Sequence, residues 1–197
     1  MSTRKTLFHK NGIYHIFNRT ITGTGMSLDK EDYAFFVLKL RQYAKLLQIR
    51  IISWCLLPNH FHMLVQQLGD HTPSKFIERL LKSYVKWYNK KYLRRGPLFE
   101  SRFKSTNVAD EDYLKTVLAY ILCNPVHHRL TRRPEKWRYS NYHEIFSSVL
   151  PVQDYGLLIL DMIAFKSFFS TYLEELRRKR ISRKQLRKQY HGPPQVP

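Results

Sequence analysis

The stretch RIISWCLLPNHFHMLVQ, residues 50–66, holds two runs of β-branched and bulky apolar residues on either side of Pro58-Asn59. Pro-Asn is turn chemistry and the flanking runs have strand length and composition, so the stretch predicts a hairpin of strands 50–57 and 60–66. Side chains alternate across a strand, which puts His60 and His62 on one face and Phe61 and Met63 on the other.

Working outward, residues 13–19 gather β-formers between Gly12 and the Thr- and Gly-rich stretch 20–25, a strand leaving into a loop. Between 30 and 47, apolar residues recur at helical spacing (Phe36, Leu40, Tyr43, Leu47), with Asp29, Glu31 and Asp32 at the start, where the helix dipole favours anions. Thr72 and Pro73 suit the N-cap and first position of a long helix reaching 93. Residues 99–108 read as a further strand, and 110–124 as a helix ending before Pro125. The order β-α-β-β-α-β-α predicts an α+β fold: a ferredoxin-like antiparallel sheet with helices on one face. Past Trp137 the sequence turns aromatic and irregular, then an apolar stripe (Phe165, Phe168, Phe169, Tyr172, Leu176) runs into a basic tail. The expected organisation is a main domain, 1–148, and a basic helical extension, 149–197.

The 197 residues carry 34 Lys and Arg against 15 Asp and Glu, a formal net charge of +19. Eight of the cations lie in the tail, at Arg177, Arg178, Lys179, Arg180, Arg183, Lys184, Arg187 and Lys188, yet without them the surplus is still 11. Such a surplus calls for a polyanion. No apolar run suggests a membrane span and no signal segment opens the chain, so nucleic acid is preferred over a membrane surface. Cys55 and Cys123 form no Cys-x-x-Cys pair, which argues against a disulfide scaffold and for a cytoplasmic setting.

Two imidazoles on one strand face can hold a divalent metal, and an ion with open positions can polarise a phosphate oxygen. The same spacing also fits two polar residues on a solvated strand face. Tyr120 and Asn124, four apart on the predicted helix, share one side of it. Asn124 could add an oxygen ligand and Tyr120 a phenol nucleophile. Tyr113, seven residues earlier, is the rival nucleophile; the spacing to Asn124 favours Tyr120. Cations interleave with aromatics from 82 to 95, where Lys82, Lys86, Lys90, Arg94 and Arg95 could track phosphates while rings stack on unpaired bases.

Five blocks in order carry a family resemblance: Tyr14-His15 with Arg19, Leu57-Pro58-Asn59-His60-Phe61-His62, Gly96-Pro97-Leu98-Phe99 with Arg102-Phe103-Lys104, Tyr120-Ile121 with Asn124-Pro125-Val126, and Trp137 with Ser140 and Tyr142. In these the chain resembles the single-tyrosine HUH transposases, most closely the REP-associated tyrosine transposases. The resemblance implies His60, His62 and Asn124 as ligands of Mg2+ or Mn2+. It implies Tyr120 as the nucleophile that takes the 5′ phosphate of a cut single strand, and Arg19, Arg102 and Lys104 as further DNA contacts. It also implies hairpin-forming repeats as targets and a homodimer. The sequence departs from the family pattern at Leu122-Cys123, where relatives often have histidine, and at Thr20-Ile21, where they often have Gly-Asn. The reading is a metal-dependent transposase or nickase that cleaves and rejoins single-stranded DNA. The alternatives are a catalytically silent, sequence-specific DNA-binding protein of the same fold and an RNA-binding module, although a His-x-His strand has no role in the latter.

Overall fold

The hairpin about Pro58-Asn59 forms the middle of the molecule. In the computed structural model, which describes residues 7–27, 29–147, 152–154 and 159–190, strands β1 (Ile13–Arg19), β2 (Ile49–Leu56), β3 (His60–Gln67) and β4 (Lys104–Val108) make one antiparallel sheet in the order β2-β3-β1-β4. That is the ferredoxin-like order. β1 lies between β3 and β4, pairing Phe17 with His62 and Arg19 with His60. A bulge between Ile51 and Ser53 interrupts the β2–β3 register.

Helices α1 (Lys30–Leu46) and α2 (Pro73–Lys91) connect the strands. α1 opens on a capping box between Asp29 and Asp32, and α2 on Thr72 with Pro73 behind it. Both cover one face of the sheet, where Tyr14, Ile16, Trp54, Phe61, Met63 and Val65 meet Phe36, Leu40, Phe76, Leu80 and Tyr84. Asp32, fully buried, and Asp29 receive Lys91 Nζ at 3.1 and 2.7 Å, tying the start of α1 to the end of α2.

Helix α3 (Glu111–His127) lies across the other face, against Ile13, Ile52, Cys55, Leu57 and Leu64. The sheet is thus covered on both faces, rather than carrying all its helices on one. α3 also runs through Pro125 instead of stopping at Asn124. Proline removes one helical hydrogen bond, but Pro125 and Val126 are both buried, and that packing keeps the last turn helical. Of the predicted strand 99–108 only 104–108 forms; Phe99 makes an isolated bridge to Thr20.

The aromatic stretch after Trp137 closes the outer edge of β2. Asn141 Oδ1 accepts from Trp54 N–H at 2.8 Å, its Nδ2 donates to the Ile52 carbonyl, and Trp137 Nε1 donates to the Leu56 carbonyl. An edge so covered cannot pair with another chain. A short helix α4 (Tyr142–Phe146) and a two-stranded ribbon, β5 (Val152–Asp154) and β6 (Ile159–Asp161), lead to the long helix α5 (Met162–Tyr190). Phe165 and Phe169 of α5 are buried in the core formed with α3 and α4. The expected boundary at 148 lies outside the described residues, as do the side chains of the tail cations from Arg180 onward.

Candidate active site

The pleat of β3 turns His60 and His62 to the α3 side of the sheet, the side of Leu64. They are only 5% and 6% exposed. Both rings are held through Nδ1. His60 Nδ1 lies 2.7 Å from Asn59 Oδ1. An amide oxygen only accepts, so Nδ1 carries the proton and Nε2 keeps its lone pair. His62 Nδ1 lies 3.0 Å from Nε2 of His15, two residues before Phe17 on β1 and also buried.

Burial, with smaller contributions from neighbouring His15, His60, His128 and Arg19, pushes His62 down to about 2. His60 is lowered to about 4, by burial first and then by His128 and Arg19, while the Asn124 carboxamide, which a protonated ring would hydrogen-bond, acts in the opposite direction. Burial alone takes His15 to about 4. All three rings are therefore neutral at physiological pH, the form in which imidazole is a ligand.

Asn124 has no solvent exposure. Its Nδ2 donates to the Tyr120 carbonyl one turn back, at 3.0 Å, which leaves Oδ1 as the acceptor. With His60 neutral and protonated at Nδ1, Asn124 Oδ1 and His60 Nε2 are two buried acceptors with no donor among the described residues. Orphaned buried acceptors are costly and call for an explanation. A cation between them would satisfy both. Among the described residues no three His, Cys, Asp or Glu side chains converge as a metal site, so the two imidazoles and the Asn124 oxygen are the donor set on offer. Mixed nitrogen and oxygen donors fit a divalent ion that retains positions for water or phosphate oxygen.

Tyr120 is partly exposed, and its ring centroid is 5.3 Å from His62 and 6.0 Å from His15. It lines a pocket of about 410 Å³ with His60, His62, His128, Phe17, Arg19 and Lys104. Tyr113, on the first turn of α3, is not on the pocket wall. The structure thus brings together Tyr120, His60, His62 and Asn124, with Arg19 and Lys104 as cations at the rim. Arg102 is exposed two residues from Lys104. Lys82, Lys86 and Lys90 are exposed on α2, in the helical layer on the opposite face of the sheet, and Arg94 and Arg95 follow in the next loop. These five do not join the pocket.

Sequence reasoning missed His15 and Asn59 as the groups that orient the imidazoles, and His128, whose ring is 4.5 Å from that of His60. Asn59 had a local signal, being adjacent to His60. His15, 47 residues from His62, stood in the first block of the family resemblance but had no local signal that it meets His62.

A ferredoxin-like sheet thus presents two neutral imidazoles to a tyrosine one turn from a buried asparagine. Residues 9–124 match the family described as "Transposase IS200 like", and the chain belongs to that transposase family. A curated protein of Haemophilus influenzae, named by inference a REP-associated tyrosine transposase, is 24% identical over 166 residues, covering 79% of this chain and 94% of that protein. A solved structure of a REP-associated tyrosine transposase bound to a REP hairpin superposes with a TM-score of 0.64 at 18% identity, over 73% of this chain and 84% of that one, and shares the fold.

Proposed function

We propose that this transposase nicks and rejoins single-stranded DNA beside hairpin-forming repeats, with Tyr120 as nucleophile and His60, His62 and Asn124 as ligands of Mg2+ or Mn2+. The observation that carries the reading is the pair of buried acceptors without a donor, His60 Nε2 and Asn124 Oδ1, the first on the wall of the pocket that Tyr120 and His62 also line and the second just behind it, one turn from Tyr120. A hairpin as partner is supported by the relative that was solved bound to one and by the net charge of +19.

A divalent ion bound there supplies Lewis-acid polarisation of the scissile phosphate. Arg19 and Lys104 draw the phosphate into the pocket and offset its charge. Asn59 and His15 hold the imidazoles in the tautomers that present Nε2. The Asn124 bond to the Tyr120 carbonyl fixes the carboxamide against the helix that carries the nucleophile. Tyr120 Oη then bonds to phosphorus, the bond from phosphorus to the 3′ oxygen breaks, and the phenol proton is balanced by protonation of the leaving oxygen. A 3′ hydroxyl attacking the phosphotyrosine reverses the exchange, so no other energy source is consumed. One nucleophile per chain suits a homodimer that joins two ends.

The test is incubation of labelled single-stranded DNA carrying a hairpin and its flanks with Mg2+ or Mn2+, comparing the natural chain with Tyr120→Phe. The reading expects a covalent protein–DNA band that disappears in the variant. Tight binding without any adduct would replace it with the binding-only alternative.

A further inference from the structure

Past Lys91 and Tyr92, which tie it to the start of α1, helix α2 ends in a tip that neither the fold nor the cleavage chemistry uses. Tyr92 caps the helix with its N–H on the Tyr88 carbonyl, and the Arg94 N–H reaches back to the Asn89 carbonyl at 2.8 Å. This is the Schellman ending, whose middle residue adopts the left-handed conformation and is usually glycine, because a Cβ is strained there. Here that residue is Leu93, at φ 49° and 94% exposed. Helices α1 and α3 are likewise followed by left-handed Gln48 and Arg129, but those side chains are polar and suited to water. Leu93 is apolar, strained and unpacked.

The loop around it is pinned. Asn89 Nδ2 donates to the Gly96 carbonyl at 2.8 Å, and the Arg94 guanidinium lies 5.8 Å from the Tyr88 ring centroid. Lys90 and Arg95 are exposed on either side in sequence. A fixed apolar tip among cations has the composition of a nucleic-acid wedge: the cations hold phosphates and the apolar side chain enters between stacked bases. We propose that Leu93 is such a wedge, inserted at a base step in the stem of the bound DNA hairpin. The proposal rests on the hairpin-DNA reading above and adds a second point of contact. From Leu93 the chain reaches Glu100, on the wall of the Tyr120 pocket, over at most about 25 Å. That span is on the order of seven stacked bases. The wedge therefore fixes how far along the DNA the strand in the pocket lies from the stem.

The test places 2-aminopurine at each stem position in turn and follows its fluorescence and the affinity on adding the natural chain, Leu93→Gly, or the double variant Lys90→Ala/Arg95→Ala. The natural chain is expected to brighten the probe at one step. Leu93→Gly should fold at least as stably, since glycine suits that backbone, while losing the brightening and binding about tenfold more weakly at an unchanged salt slope. The double variant should lower the salt slope and keep the brightening. Equal affinity and brightening for Leu93→Gly, or no brightening with the natural chain although it binds and forms its adduct, overturns the wedge alone. A Leu93→Gly change that alters sedimentation of the protein and not its DNA affinity assigns the leucine to a protein contact and also overturns it. Failure of the natural chain to bind any hairpin overturns both the wedge and the hairpin reading.

Discussion

Replacing His15 by Phe should weaken divalent metal binding without touching a proposed ligand. His62 can present Nε2 to an ion only if Nδ1 carries the ring proton, and the acceptor for that proton is His15 Nε2, 3.0 Å away. With His15 8% and His62 6% exposed, bulk water has little access to replace the lost acceptor. Phe keeps the ring that packs 5.2 Å from Phe17 and 6.0 Å from Tyr120, so the change removes mainly the hydrogen bond. An unpartnered buried donor costs about 1–3 kcal/mol. Loss of an outer partner to a metal-bound imidazole typically costs about 10–100-fold in affinity, roughly 1.4–2.7 kcal/mol. The two figures agree, so the Mn2+ dissociation constant should rise by one to two decades. Titration of Mn2+ followed by the electron paramagnetic resonance of the free ion reads it directly, with thermal melts in chelator to check that the fold is intact. His15→Gln, which restores an acceptor on a shorter side chain, should recover part of the loss, and His60→Ala should abolish tight binding altogether. If His15→Phe binds Mn2+ as the natural chain does while His60→Ala fails to, the tautomer argument is wrong even though the site is right.

Two further outcomes follow from the packing. Phe169→Ala empties a position 4% exposed among Tyr142, Phe146 and Phe165, and should destabilise the whole chain by about 3–5 kcal/mol, on the order of 10 °C in melting temperature. A change confined to the helicity signal, with the main transition unmoved, would show that α5 is independent of the sheet. Lys91→Met removes the cation that, through its hydrogen bond, holds the exposed Asp29 carboxyl below its ordinary range. A depressed carboxyl contributes stability that is present above its unfolded value, near 4, and lost as pH falls through the folded one. The variant should therefore be less stable than the natural chain at pH 7, with the two urea midpoints converging below about pH 4; a constant gap across that range would refute the pairing.

The elements of this fold are visible in the sequence because their signals are local: a turn dipeptide at Pro58-Asn59, an acidic start to α1, Thr-Pro at the head of α2. The layering was also encoded, but by a different pattern. WCL on β2 and MLV on β3 are continuous apolar runs, and a strand covered on both faces needs no alternation. That pattern points to a helix on each face, whereas the order of elements alone says nothing of how the helices divide. Pro125 misled for the opposite reason. The rule against helical proline is local, and the burial of Pro125 and Val126 that overrides it is tertiary. The site divides along the same line. His60, His62, Tyr120 and Asn124 could be picked out because each donor has the right chemistry and each pair lies on one element at the right period. What fixes their orientation comes from elsewhere: His15 reaches His62 across the β1–β3 pairing, and Asn141 closes the edge of β2 from 87 residues away. Chemistry can be read from single residues and their spacing, but a tautomer is set by the neighbour across the sheet, and that neighbour exists only once the register does.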